Sequence, residues 1–185
     1  MGLHQLSLQY VAEQDRLLLR VSATSGAEVR CWLTRRLALR FAPALRDQVA
    51  QLSALRQSLP ATVSEEARRM AAEFESQRAL EGAVFGQPYM PPPNAQQPLG
   101  DAPLLVTEID VATTQDQQLA LSLREKLDGQ VGEPRGFRVT LEPQTMHALL
   151  KLLKGALDQA DWDSAQDFKE EVAQAAARIL PGYMH

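Results

Sequence analysis

The chain has 185 residues, 45% hydrophobic and 23% charged, with a formal net charge of -4, which is apolar material for one core or two small ones and too little charge imbalance for a chain that stays unfolded. Its single cysteine, Cys31, excludes a disulfide framework and a thiolate cluster for zinc or iron-sulfur chemistry, and predicts a reducing, cytoplasmic setting. The start, Met1-Gly2-Leu3-His4-Gln5-Leu6, lacks a signal peptide's basic and apolar regions, and no run of about 18 apolar residues occurs, so neither export nor a membrane-spanning helix is expected.

The first elements alternate with period two. Leu6, Leu8 and Tyr10 face one way and Ser7 and Gln9 the other, as a half-buried strand requires. A turn at Glu13-Gln14-Asp15 leads to Leu17, Leu19 and Val21, and after Thr24-Ser25-Gly26 the alternation resumes in Val29, Cys31 and Leu33. Three antiparallel strands follow from this pattern. At Thr34 the period lengthens to about 3.6, with Leu37, Phe41, Leu45, Val49 and Leu52 as the apolar stripe of a helix. Thr34 is its predicted N-cap, and Pro43, too deep for a first-turn proline, is expected to kink or divide it near Phe41.

Thr62-Val63-Ser64-Glu65 has the form of a capping box and opens an alanine-rich helix with Met70, Ala71, Phe74 and Leu80 on a weak apolar face. From Gln87 to Pro103 the chain carries six of its eleven prolines, which predicts an extended, mobile linker. The second half repeats the first: strands are expected from Val106, Glu108, Ile109 and Val111, from Leu119, Leu121 and Leu123, and from Phe137, Val139 and Leu141. Pro143 then opens a helix striped by Met146, Leu149, Leu150, Leu153 and Leu157. A shift of 108 residues sets Val29, Arg30, Cys31 and Leu33 on Phe137, Arg138, Val139 and Leu141, a match of pattern that an ancestral duplication would produce. Last, Asp163 is a candidate cap for a helix with Phe168, Val172, Ala176 and Ile179 on one face, ended by Pro181-Gly182 and expected to dock on the second half or a partner.

The expected fold class is therefore α+β: two βββα halves with antiparallel sheets, each covered by a helix, plus accessory helices. The boundaries are a first half over 1–59, linker helix and proline-rich linker over 60–103, a second half over 104–160 and a C-terminal helix over 161–185. Net charge divides along similar lines, +4 over 1–59, where every positive residue is arginine, then -3 over 60–103 and -5 over 104–185.

Catalytic signals are sparse. His4, His147 and His185 are scattered without H-E-x-x-H spacing, so neither a metal nor a cofactor is expected, and His147 reads as a structural histidine at the edge of its helix. Cys31 alternates with Val29 and Leu33 and reads as a small buried hydrophobe. The acidic Asp158, Asp161, Asp163, Asp167, Glu170 and Glu171 fall in no hydrolase or magnesium frame, and no phosphate-binding glycine loop or G-x-S-x-G elbow occurs.

The richest constellation is the sheet face opposite the helices: Arg20, Arg30 and Trp32 in the first half, with Arg124 and Arg138 in the second. A tryptophan flanked by guanidinium groups can stack a base and neutralise phosphates. The repeated sheet-plus-helix order is similar to Whirly and Pur-type single-stranded nucleic-acid-binding proteins, which implies such a role for this face. The simpler account has Trp32 packed on the linker helix, the other half or a second subunit, with arginine stems covering the sheet. Arg35, Arg36 and Arg40 pose the same choice between a solvated helix face and a patch for an anion or acidic partner. The expected function is a non-enzymatic protein-interaction or assembly module, with homodimerisation among its expected modes; the alternative is binding of single-stranded nucleic acid.

Overall fold

In a computed structural model the described residues are 2–58, 60, 62–81, 89–129 and 131–162. They form β1 (Leu3–Val11), a 3-10 turn (Ala12–Gln14), β2 (Arg16–Ala23), β3 (Glu28–Thr34), α1 (Arg35–Arg56), α2 (Glu65–Leu80), β4 (Leu104–Val106), β5 (Glu108–Thr113), β6 (Leu119–Glu125), β7 (Arg135–Leu141) and α3 (Pro143–Ala160). The α+β class and the paired sheet-plus-helix halves are as expected. One sheet has the order β1-β2-β3-β4 and the other β5-β6-β7.

Period-two alternation builds both inner faces. In the first sheet, Tyr10 lies opposite Leu17, Leu17 opposite Leu33 and Leu33 beside Val106. In the second, Val111 faces Leu121 and Leu121 faces Val139. Leu17, Leu33, Leu121, Val139 and their neighbours join one hydrophobic cluster with Phe41, Leu45 and Val49 of α1 and Met146, Leu149 and Leu153 of α3. Burying each such side chain contributes about 1.5–3 kcal/mol. The helix cover is exchanged between the halves: α1 packs on β5 as well as on β2 and β3, and α3 packs on β1 as well as on β7. Both sheets therefore close one core.

Local signals place most helix ends. The Thr34 hydroxyl accepts a bond from the Leu37 amide at 3.3 Å, and Pro143 occupies the first turn of α3. Ser64, rather than Thr62, caps α2, its hydroxyl accepting from the Ala67 amide at 3.2 Å. The expected division of the first long helix does not occur, since α1 runs 22 residues through Pro43. Pro43 is on the exposed side, where water can satisfy the carbonyl that its missing N–H leaves free, while Phe41, Leu45 and Val49 hold the opposite side in the core.

Two other segments depart from the sequence reading. Leu104–Val106 does not begin the first strand of the second half but forms β4, pairing in parallel with β3 before the chain crosses at Thr107 into β5. Buried Leu104 and Val106 thereby extend the inner face of the first sheet. The proline-rich linker, from residue 89 on, is tied to that sheet: Ala27 bridges Gln96, the Glu28 amide donates to the Gln96 carbonyl at 2.8 Å, and the Tyr89 hydroxyl donates to Glu28 at 3.0 Å. The expected C-terminal helix, with His185 and the acidic residues from Asp163 on, lies outside the described residues. Among the described residues, no helix is long and apolar enough to cross a membrane.

Candidate functional site: a cleft beside the crossing helix

After α1 the backbone turns through Ser58, whose φ of 52° reverses the chain, and α2 crosses back over α1 and α3. Its seat is polar. Arg56, in the last turn of α1, donates to Glu75 at 2.9 Å and also to the Gln117 carbonyl in the β5–β6 turn. The neighbouring Gln57 side chain donates to the Ala71 carbonyl at 2.9 Å. On the far side of Glu75, His147 of α3 is 1% exposed, with Nε2 3.7 Å from the carboxylate, which is too long for a hydrogen bond. Ser53 is fully buried on α1 nearby.

Electrostatics assign the charges. Burial alone pushes the Glu75 carboxyl up, but the Ser53 hydroxyl and the Arg56 guanidinium outweigh it and leave the group below its ordinary range, so Glu75 is ionised at neutral pH. Burial lowers His147, and the attraction of Glu75 only partly offsets it, so the imidazole is neutral. A sealed serine, a sealed neutral histidine and a carboxylate held by arginine lack an accessible nucleophile beside a free base. The cluster's evident work is to pin α2 to the end of α1 through Arg56 and Gln57, with His147 of α3 buried beside Glu75. Among the described residues, no group of three or more His, Cys, Asp or Glu could hold a metal ion.

The pinning fixes which face of α2 looks outward. Glu75 and Ala71 turn inward, so Met70 and Phe74, one turn apart, are left 62% and 58% exposed, and the Arg78 guanidinium lies 6.0 Å from the centre of the Phe74 ring. The apolar face expected on this helix is thus corrected: Ala71 is buried and Leu80 half-buried, while Met70 and Phe74 face away from the core. Beside them runs a cleft of about 680 Å³ between α2, the end of α1 and the start of α3, with Arg56 and Glu75 at one wall and Phe74, Arg78, Glu142 and Pro143 around it.

A second polar clamp closes the opposite end of the helix layer. Asp15, in the turn between β1 and β2, accepts from the Tyr10 hydroxyl at 3.0 Å and from the Trp162 indole at 2.8 Å, while Arg35 donates to the Trp162 carbonyl at 3.1 Å. Trp162 is 3% exposed and meets Tyr10 edge to face at 5.6 Å. The Asp15 turn thus holds the end of α3, as the Gln117 turn holds the end of α1.

The arginines singled out in the sequence do not converge. Arg20 is half-buried with its guanidinium 5.7 Å from the Tyr89 ring centre. Arg30 donates to the Gln97 side chain at 2.6 Å and to the Asp101 carbonyl, and lies 3.8 Å from Glu28. Trp32 is half-buried, in register with Leu18 and Leu105. Arg124 and Arg138 are on the other sheet, the first paired with Asp110 and, at 3.4 Å, Glu108, the second exposed in register with Ser122. Arg35 is committed to Trp162, and Arg36 and Arg40 are exposed on α1. Cys31 is fully buried, which pushes its thiol up to about 12.

Sequence reading missed Arg56, Glu75 and the outward turn of Phe74. Arg56 and Glu75 are 19 positions apart on different helices, and no spacing rule joins them. The usable signal was the weakness of the apolar stripe on α2. No family model matches the sequence, and neither a curated protein nor a solved structure matches it.

Proposed function

We propose that this chain is a non-enzymatic protein-interaction module that binds through the outward face of α2. The observation that carries the reading is the exposed row Met70, Phe74 and Arg78 beside the cleft, on a helix held rigid from beneath by Arg56, Glu75 and Gln57. Methionine, aromatic and arginine side chains are enriched where proteins meet, and a rigid helix loses little freedom on binding. A second copy is the favoured partner, because two α2 helices crossing antiparallel at Phe74 bring Met70 of each chain to Arg78 of the other, and two-fold dimers are the commonest assemblies. Single-stranded nucleic acid is the weaker reading, since Arg20, Arg30 and Arg124 already have partners within the chain.

The test is sedimentation of the wild type and Phe74→Asp over a range of concentrations, with thermal melting as the control for folding. The wild type is expected to self-associate, and the variant to be monomeric with an unchanged melting temperature. A monomeric wild type that also captures no partner sensitive to Phe74→Asp overturns the proposal.

A further inference from the structure

The edge of a sheet carries a row of backbone N–H and C=O groups that want partners. Three of the four edges here are engaged within the chain. β1 packs against α3, and β5 against α1. At β4 the Leu105 amide donates to Glu125 at 3.1 Å, a carboxylate that is 8% exposed and held by Arg135 at 3.0 Å. The fourth edge is the outer side of β7.

Register decides which groups of β7 point outward. The Thr114 amide donates to the Gln118 carbonyl at 2.9 Å, in the same register that sets Thr113 opposite Leu119. Bonded and non-bonded pairs alternate along an antiparallel ladder, so Ala120, Ser122 and Arg124 direct their backbone groups to β5, and Leu119, Leu121, Leu123 and Glu125 direct theirs to β7. Their partners there are Leu141, Val139, Phe137 and Arg135. The N–H and C=O groups of Gly136, Arg138 and Thr140 are left facing away from β6, and among the described residues nothing bonds to them. β7 is seven residues long, without proline and without a shift of register against β6, so it has none of the features that blunt an edge.

We propose that this edge docks an extended segment of another protein, one that alternates apolar and acidic residues and adds to the second sheet as its fourth strand. Only an extended chain presents donors and acceptors at the spacing of Gly136, Arg138 and Thr140. The side chains set its pattern. On the outer face Arg138 is exposed, with no carboxylate partner among the described residues, and calls for an acidic residue beside it; on the inner face half-buried Phe137 calls for an apolar one. A second copy of β7 fits less well. Pairing centred on the strand sets Arg138 against Arg138, and sliding it either way runs the ladder into Pro134 or into Glu142 and Pro143. This surface is separate from the outward face of α2.

Amide hydrogen exchange of the full chain, followed by NMR with a capped seven-residue peptide of alternating valine and glutamate, tests the assignment. In the peptide-free chain Gly136, Arg138 and Thr140 are expected to exchange freely while Phe137, Val139 and Leu141 are protected. The peptide should slow the first three saturably. Arg138→Glu should weaken it about tenfold at low salt and favour the lysine counterpart of the peptide. Thr140→Pro, which removes no bond of the β6–β7 ladder, should abolish binding of both peptides, with thermal melting as the control for folding. Protection of the three outward amides without peptide overturns the proposal: independent of concentration, it shows that the chain covers its own edge, and rising with concentration, that a second copy does. No effect of the glutamate peptide, or an effect indifferent to Arg138→Glu, overturns it too. Carrying out the titration in Phe74→Asp as well keeps this outcome distinct from association through α2.

Discussion

On the first sheet, the outer-face guanidinium of Arg30 reaches across to the linker, bonding Gln97 and Asp101; on the second, the guanidinium of Arg124 turns to carboxylates of its own sheet, Asp110 and Glu108. Arg138, which takes the place of Arg30 under the 108-residue shift, is exposed. The inner faces show no such divergence: Leu33 and Leu141, related by the same shift, are both sealed in the shared cluster. Similar apolar alternation thus produces similar inner surfaces, whereas the role of an outer-face arginine depends on whether another part of the chain lies over it. The second sheet also carries its own close contact, since a Cβ at Gly136 would run into the carbonyl oxygen of Leu123, which keeps that position of β7 glycine.

The strongest way to break the comparison is through the inner faces. Leu33→Ala and Leu141→Ala are each expected to cost about 2–5 kcal/mol, the range for emptying a buried leucine site. With helices exchanged between sheets, both losses should appear in one urea transition seen alike by fluorescence and circular dichroism. Two separated transitions would show that the sheets unfold independently.

The outer faces should differ where the inner faces agree. Arg30→Ala removes bonds that tie the linker to the sheet and is expected to cost about 1–2 kcal/mol, little affected by salt. Arg124→Ala removes a pair 39% exposed on its arginine side, and is expected to cost at most about 1 kcal/mol and to fade in high salt. Equal losses at both positions, measured by denaturant titration at two ionic strengths, would remove the distinction.

The smallest effect separates His147 from Glu75, two groups of one cluster, by pH. His147 titrates below its ordinary 6.5 in the folded chain, so below pH 6.5 the unfolded chain takes up the proton first and the fold loses stability as pH falls. Glu75, held below its ordinary 4.5, contributes stability that is present above that value and lost as pH falls through its lowered value. His147→Gln should therefore flatten the decline that begins below pH 6.5 while leaving the loss at lower pH. Thermal melts across that range check it, and a variant whose slope matches the wild type would count against a buried neutral histidine.

Much of the fold was legible along the chain. The inward residues of six strands, the cap at Thr34, the first-turn Pro143 and the core stripes of α1 and α3 follow from local rules, because the direction of a side chain repeats every two residues in a strand and every 3.6 in a helix. Local rules also marked Cys31 as buried and the stripe of α2 as weak. They could not say which side of α2 would face the core, because its Met70 and Phe74 lost that place to a polar seat built from Arg56, Gln57 and Glu75.

Tertiary structure alone decided the rest. It set β4 beside β3, carried each long helix onto the opposite sheet, covered Arg30 with the linker and brought Trp162 to Asp15 across 147 positions. A periodic pattern specifies that a face must be buried but not what will bury it. That choice belongs to contacts between distant segments, where shape and charge must match at once, and no spacing within a single element records them.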